Sequence, residues 1–217
     1  MLALIATLPA SLAVRLADAP TVVAAASGTV WRGEAMLAGG HRAAWTLDPV
    51  RSVRSLSLAA RWRIEGPDTR LAGAIGLRPD GVALADVTGR ADWSLIAAVA
   101  PGLPASCDIN LRVDISRALW SRSTRRLVGE VQANPGRCVS TDGETSSELD
   151  LPALEAIAAS ANGETSIQLA PAGDATRILL DAHLAADGAL TVTLHPEGAR
   201  VLAGRAASAP MTLETQL

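Results

Sequence analysis

Short runs of alternating apolar and polar residues occupy most of this chain. In one run a single parity is apolar: Leu56, Leu58, Ala60, Trp62 and Ile64. A side-chain period of two is that of a β-strand with one buried face. The same pattern recurs at residues 71–77, 82–87, 109–115, 178–184 and 190–194. The pattern therefore predicts strands that are half buried in an antiparallel sheet.

Turn residues separate these runs. The first turns are Glu65-Gly66-Pro67-Asp68 and Pro79-Asp80-Gly81, and Asp187-Gly188 separates the last two runs. Asp-Gly between two alternating runs is a strong signal for a β-hairpin. The predicted fold class is mainly β, with a large antiparallel sheet.

Two segments break the alternation and predict short helices packed on the sheet. Residues 91–100 place Trp93, Ile96 and Ala97 at helical spacing before Pro101-Gly102. Asp150-Leu151-Pro152 has the form of a cap followed by proline in the first turn, which predicts a second helix ending at Asn162-Gly163. Each helix is too short to be stable alone in water, so each should pack on the sheet.

Residues 134–149 are polar and rich in Gly, Ser, Thr and Asp. This composition predicts a flexible loop. The loop would divide the main domain into an N-terminal half, residues 17–133, and a C-terminal half, residues 150–217.

The composition gives little support for catalysis or for a nucleic-acid partner. The net charge is −3, all 19 basic residues are Arg, and the absence of Lys excludes a Lys-containing phosphate loop. His41, His183 and His195 have no further ligand at metal-binding spacing, although the last two could face each other across the Asp187-Gly188 hairpin. We expect exposed histidines and predict no catalytic, cofactor-binding or metal site.

Cys107 and Cys138 are the only cysteines. Their separation excludes a Cys-x-x-Cys redox or zinc motif. Cys107 begins a predicted strand, and Cys138 follows the strand that should pair with it. We therefore expect a disulfide across the open end of a hairpin in an oxidising compartment; in the cytosol the two would be buried thiols.

The segment from Ser27 to Pro49 contains two tryptophans among glycines. Gly28 and Gly33 flank Val30 and Trp31, and Trp45 follows about a dozen residues later. Glycine allows a turn or a close approach of two backbones, and each Trp can anchor a strand. The pattern predicts two strands that meet at a hairpin.

The Gly-Thr-Val-Trp-Arg-Gly sequence at residues 28–33, together with Trp45, resembles the type II secretion system protein N family. The resemblance implies a non-catalytic, inner-membrane-anchored accessory component whose bulk lies in the periplasm. It also implies protein partners within the secretion system and no cofactor.

Residues 1–16 form an apolar segment in front of this motif. Fourteen residues make a helix of about 21 Å, which is shorter than the roughly 30 Å hydrocarbon core. A cleaved signal peptide fits the length but lacks a basic region in front of it. The family resemblance offers the outer half of a truncated membrane anchor instead. Each alternative exports the rest of the chain.

A second function class stays open on physical grounds. A curved antiparallel sheet with one apolar face, of the AsmA-like or bridge-like architecture, can leave a groove for lipid. Five Trp are the only aromatics, and the small aliphatic side chains leave room for acyl chains. A covered apolar face would favour the secretion scaffold, and an open one would favour a lipid-binding or lipid-transfer module.

Overall fold

Strands dominate the computed structural model, which describes residues 22–99, 105–121, 124–142, 145–204 and 206–216. The strands are β1 (Val23–Gly28), β2 (Arg32–Leu37), β3 (Arg42–Leu47), β4 (Leu58–Glu65), β5 (Arg70–Arg78), β6 (Gly81–Asp92), β7 (Ala105–Asp108), β8 (Asn110–Ser121), β9 (Arg125–Ala133), β10 (Gly136–Asp142), β11 (Thr145–Leu151), β12 (Leu154–Ala161), β13 (Glu164–Pro171), β14 (Leu180–Leu184), β15 (Ala189–Leu194) and β16 (Met211–Gln216). The helices are α1 (Pro49–Ser55), α2 (Trp93–Val99) and α3 (Pro196–Ala203), with a 3-10 turn at Ala38–Gly40. The mainly β prediction is confirmed.

Thirteen of the strands form one antiparallel sheet in the order β1-β2-β3-β4-β5-β6-β8-β9-β12-β13-β14-β15-β16. The remaining strands form a small sheet in the order β11-β10-β7. The predicted turns at residues 65–68, 79–81 and 187–188 join β4 to β5, β5 to β6 and β14 to β15. Because β9 pairs with β12, the sheet runs without interruption through both predicted halves.

The helix predicted from Asp150 to Asn162 is wrong. Asp150 lies in β11, and most of the segment is β12, which pairs with β9 on one side and β13 on the other. Residues 154, 156 and 158 are Leu, Ala and Ala, so the period of two was present. The small side chains of alanine satisfy both periods, and Pro152, which resembled a first-turn proline, lies in the connection between β11 and β12.

The prediction of a flexible loop at residues 134–149 is also wrong, because the segment forms strands. Most of the segment forms β10 and the first part of β11, and these strands pair in register from Gly136 opposite Leu151 to Asp142 opposite Thr145. Because the segment is polar and rich in Gly, Ser, Thr and Asp, its sequence lacks the alternation of apolar residues that marks the other strands.

The helices near residues 50 and 200 were not predicted, whereas α2 confirms the prediction for residues 91–100. Asp48 caps α1, because its carboxylate accepts a hydrogen bond of 3.0 Å from the Arg51 backbone N–H, and Pro49 begins the helix. The helix ends at Leu56, which has a left-handed backbone with φ of 49°. The predicted strand at residues 56–64 therefore begins two residues later, at Leu58.

One face of the large sheet is apolar across its whole width. Directly paired residues of an antiparallel sheet lie on the same face, so the registers trace rows from edge to edge. The central row is Ala26, Ala35, Ala43, Ile64, Leu71, Gly89, Val113, Val131, Ala156, Leu169, Leu180, Leu194 and Met211. We call this face the apolar face.

Two β-bulges keep the apolar face continuous. The register of β6 shifts by one residue against β5, and the register of β8 shifts by one residue against β9. Asp86 and Ser116 lie at these two places, opposite each other between the pairs Ala85–Arg117 and Val87–Ile115. Asp86 has a left-handed backbone with φ of 53°. Since an extra residue reverses the alternation, each bulge returns apolar side chains to the same face on both of its sides.

Burial of the apolar face differs between its two ends. At one end, called the closed end, Leu95, Ile109 and Leu154 are buried, and α3 packs against Leu194, since a Cβ on Gly198 would lie 2.9 Å from Leu194 Cδ1. At the opposite end, called the open end, paired residues are exposed: Leu58 54%, Leu77 45%, Val82 37% and Trp120 50%. Most side chains between the ends are partly exposed.

Candidate functional site

The two tryptophans of the N-terminal motif have different positions. Trp45 lies on β3 directly opposite Gly33 of β2, and its indole ring occupies the space that a side chain at Gly33 would need. A Cβ on Gly33 would overlap Cζ2 of the ring and lie 2.9 Å from Cε2. The indole Nε1–H of Trp45 donates a hydrogen bond of 3.0 Å to the Val30 carbonyl. Trp45 therefore anchors the turn between β1 and β2.

Trp31 lies in that turn, so its predicted strand position is wrong. Gly28 begins the turn with φ of +86°, and a Cβ there would lie 2.6 Å from the Arg32 carbonyl oxygen. The Trp31 carbonyl accepts a hydrogen bond of 2.7 Å from the Leu47 backbone N–H, and 37% of the residue is exposed. The motif thus forms the predicted hairpin, with Trp31 at its tip.

A groove of about 750 Å³ lies beside this anchor. Its lining includes Gly33, Trp45, Trp62, Arg32, Arg61 and Arg63. Arg61 forms an ion pair of 3.7 Å with Asp48, and Arg63 one of 3.5 Å with Glu65. Such solvent-exposed ion pairs add little stability, so the arginines are available to a partner surface at low cost.

A disulfide joins Cys107 of β7 to Cys138 of β10, as predicted. The two residues are directly paired in the small sheet. Next to them, the Asn134 backbone N–H donates a hydrogen bond of 3.0 Å to the Asn110 carbonyl, where β8 and β9 come together. The disulfide therefore holds β8 and β9 together at the end of their hairpin that lies away from its turn.

Thiol titration of the unreduced protein in denaturant is expected to detect no free thiol, because both cysteines are in the disulfide. After reduction the same titration should detect both. Two reactive thiols before reduction would contradict the disulfide and would remove one argument for an oxidising compartment.

His41 is fully buried, so the expectation of an exposed side chain is wrong. Its Nε2 lies 2.9 Å from Ser94 Oγ, and that hydroxyl donates a hydrogen bond of 2.9 Å to Asp92. Asp92 also accepts a hydrogen bond of 2.7 Å from the buried Thr69 hydroxyl. The ring fits beneath Gly66, where a Cβ would overlap Nδ1. Since the Ser94 hydroxyl donates its proton to Asp92, Nε2 of His41 must donate to Ser94 and therefore carries the ring proton. The cluster connects the 3-10 turn before β3 and the turn between β4 and β5 to α2.

The Asp92 carboxyl has a pKa below its usual value. Burial by itself would raise the pKa, but hydrogen bonds from Thr69, Ser94 and the Leu95 backbone, together with the nearby His41, outweigh burial. The carboxylate therefore stabilises the fold above the pKa of the unfolded chain, about 3.9. This contribution is lost as the pH falls through the lower folded-state pKa.

Replacing Asp92 with asparagine is expected to reduce stability at neutral pH by about 1–2 kcal/mol, because hydrogen bonds to a charged acceptor are lost. The loss of stability on going from about pH 5 to about pH 3 should be smaller in Asp92→Asn than in the wild type. Urea denaturation at both pH values measures this, with Asp80→Asn in an exposed turn as the control. Equal acid dependence of wild type and Asp92→Asn would contradict this role.

Asp181 joins two histidines that sequence reasoning left without a carboxylate. His195 Nε2 lies 2.7 Å from one carboxylate oxygen of Asp181, and His183 Nε2 lies 3.6 Å from the other. His183 pairs with Thr191 in the β14–β15 hairpin, so the two histidines are not opposite each other. Within the described residues, no group of three or more His, Cys, Asp or Glu has the geometry of a metal site.

The fold and these sites define a protein built on one large antiparallel sheet, with a polar face, an apolar face and hydrogen-bonded polar clusters around Asp92 and Asp181. The family model described as Type II secretion system (T2SS), protein N matches residues 19–217. The chain belongs to this family, which confirms the resemblance seen in the motif at residues 28–33. A search of curated proteins found no match, and a search of solved structures found none either.

Family membership identifies an accessory component of type II secretion and implies contacts with other components of that apparatus. It also indicates a location in the cell envelope. Residues 1–16, where the sequence predicts an anchor or a signal, lie outside the described residues. Among the residues that are described, no helix has the length and hydropathy needed to cross a bilayer.

Proposed function

We propose that this protein is a non-catalytic scaffold component of the type II secretion system that works in the periplasm and is attached to the inner membrane through residues 1–16. The family match over residues 19–217 carries the proposal. The Cys107–Cys138 disulfide supports it, because disulfides persist in the periplasm and are rare in the cytosol.

The two edges of the large sheet suit contacts with protein partners. Among the described residues, β1 and β16 are the terminal strands of the sheet, and each has one edge that pairs with no other described strand. The sequence of β1 is Val-Ala-Ala-Ala-Ser-Gly, without a charge or a proline that would discourage pairing. Addition of a strand from a partner domain would satisfy the backbone N–H and C=O groups of this edge.

A fusion of alkaline phosphatase to the C-terminus tests the location, because this reporter is active only after export to an oxidising compartment. We expect activity from the full-length fusion and none from a matched fusion that lacks residues 1–16. An inactive full-length fusion, with a fluorescent-protein fusion that fluoresces from the cytoplasm, would contradict the proposal.

Secretion itself tests the role. A strain without this protein should retain secreted enzymes in the periplasm, and the wild-type gene should restore their release. A His183→Ala/His195→Ala variant should restore release equally well, since the proposed role requires no catalysis. Failure of that variant alone would favour an enzyme.

A second candidate function is a periplasmic lipid-binding or lipid-transfer module of the AsmA-like type. One observation favours it: the apolar face is partly exposed along its length and ends in exposed large side chains, among them Leu58 and Trp120. Exposed apolar surface of this extent is typical of a binding site. Native mass spectrometry of the purified protein is expected to detect co-bound phospholipid, and its consistent absence would remove this candidate.

A further inference from the structure

Four large apolar side chains at the open end form a row, which we call the exposed row. Its members are directly paired on neighbouring strands: Leu58, Leu77, Val82 and Trp120. Each is more than a third exposed, and Leu56, two residues before the row begins, is 87% exposed. Apolar surface of this kind, bordered by polar residues, is typical of an interaction site.

The spacing of the exposed row fits an α-helix that lies across the strand ends. Its members come from β4, β5, β6 and β8, which are neighbours in the sheet. Neighbouring strands are about 4.8 Å apart, so the row is about 14 Å long. One turn of an α-helix rises about 5.4 Å, so about three turns would place one side chain against each strand. Amphipathic helices bind apolar surfaces through such a face.

The charges beside the exposed row favour an acidic helix. Arg78 directly follows Leu77, and Arg54 lies in the last turn of α1, which precedes the row. Both arginines are exposed. Asp80, in the turn between β5 and β6, is the acidic residue nearest to the row in sequence. A second copy of this chain would bring the same arginines together, so a partner with carboxylates beside its apolar residues is the better match.

The position of the exposed row favours a protein partner over the inner membrane. β1 enters the sheet at the closed end, where the Val22 carbonyl accepts a hydrogen bond of 2.8 Å from the Ala38 backbone N–H. The 3-10 turn that begins at Ala38 contacts α2, which carries the buried Leu95. In the proposed function residues 1–16 attach the chain to the membrane, so the closed end is nearer to the attachment. Strand β4 places the open end about 26 Å further away.

We propose that the exposed row is the docking site for an acidic amphipathic helix of another secretion component. This inference rests on the proposed scaffold function and adds to it the surface and the chemistry of the partner. The aliphatic side chains of the helix cover the row, and its carboxylates face Arg54 and Arg78.

The test measures binding of a fluorescent model helix to the full-length protein in zwitterionic lipid nanodiscs. The probe has leucine at every third or fourth position and glutamate and alanine elsewhere, and a second probe has lysine in place of glutamate. The wild type should bind the glutamate probe more tightly. Leu58→Asp should weaken that binding about tenfold, since it places a charge in the apolar contact. The matched control is Leu213→Asp, at a 66% exposed position on β16, which should change nothing.

A charge reversal tests the polar part of the site. Arg78→Glu should weaken binding of the glutamate probe and strengthen binding of the lysine probe, because it reverses the charge beside Leu77. Arg42→Glu, on β3 towards the closed end, should affect neither. Equal binding of the two probes by the wild type would overturn the acidic partner. Equal losses in Leu58→Asp and Leu213→Asp would overturn the position of the site.

A wild type that binds neither probe would overturn the docking site. A lipid that co-purifies with the wild type but not with Leu58→Asp would then assign the exposed row to the lipid candidate. Should Leu58→Asp not fold, judged by circular dichroism, Leu56→Asp takes its place, because aspartate tolerates the left-handed backbone at this position.

Secretion in cells separates this inference from the proposed function. Leu58→Asp should fail to restore release of secreted enzymes to the deletion strain, whereas Leu213→Asp should restore it. Normal release with Leu58→Asp would overturn docking at the exposed row and leave the scaffold function standing. Normal release from the deletion strain itself would overturn both.

Discussion

Replacing Trp45 with alanine is expected to lower the free energy of unfolding by about 3 kcal/mol. The substitution removes the ring that covers Gly33 and leaves a cavity between β2 and β3, which accounts for most of the loss. It also removes the hydrogen bond to the Val30 carbonyl, which holds the β1–β2 turn. Urea denaturation followed by circular dichroism measures the change.

A double-mutant cycle tests the contact itself. Gly33→Ala alone should destabilise the protein, because its Cβ meets the Trp45 ring. In the Trp45→Ala background the same substitution should cost less, since the ring is gone and the Ser27 carbonyl oxygen, 2.8 Å from the Cβ, is the close contact that stays. Trp120→Ala, at an exposed position, serves as the control and should cost less than Trp45→Ala. Additive effects of Gly33→Ala and Trp45→Ala would show that the two residues do not interact.

Removing the disulfide with the double variant Cys107→Ser/Cys138→Ser is expected to lower the free energy of unfolding by about 3.5 kcal/mol. The two cysteines are 31 residues apart, and closing a loop of this length restricts the unfolded chain by that order of magnitude. The β8–β9 hairpin lies inside the loop, so its pairing should be the first to weaken. Urea denaturation with and without reductant measures the effect.

The serine double variant supplies its own control. Reductant should destabilise the wild type by about as much as the double substitution does, and it should not affect the variant. If reductant leaves the free energy of unfolding of the wild type unchanged, the disulfide does not stabilise the fold. The small sheet would then be stabilised by its other contacts.

The strands with one apolar face were predictable because their alternation has a single physical cause, the two faces of a sheet. β5 and the β14–β15 hairpin are examples. Prediction failed for β12, where alanines fit a helix and a strand equally well. It also failed for β10 and β11, whose polar residues show no alternation in the sequence. The helix α1 could have been found, because Asp48-Pro49 is a recognisable start.

The candidate site was predictable only where local chemistry decides it. The hairpin of the motif follows from residues near in sequence, and the disulfide follows from the presence of one pair of cysteines. The buried environment of His41 does not, because Ser94, Asp92 and Gly66 reach it from distant parts of the chain.

These two bulges also restrict how the chain can change in length. Asp86 and Ser116 occupy matching places in neighbouring strands, so each extra residue compensates for the other. Deleting only Asp86 or only Ser116 would exchange the two faces along half of that strand. Aliphatic side chains would then face the polar side of the sheet, and charged side chains would face the apolar side. Relatives of this protein that lack one insertion should therefore lack the other, so that the two strands gain or lose residues together.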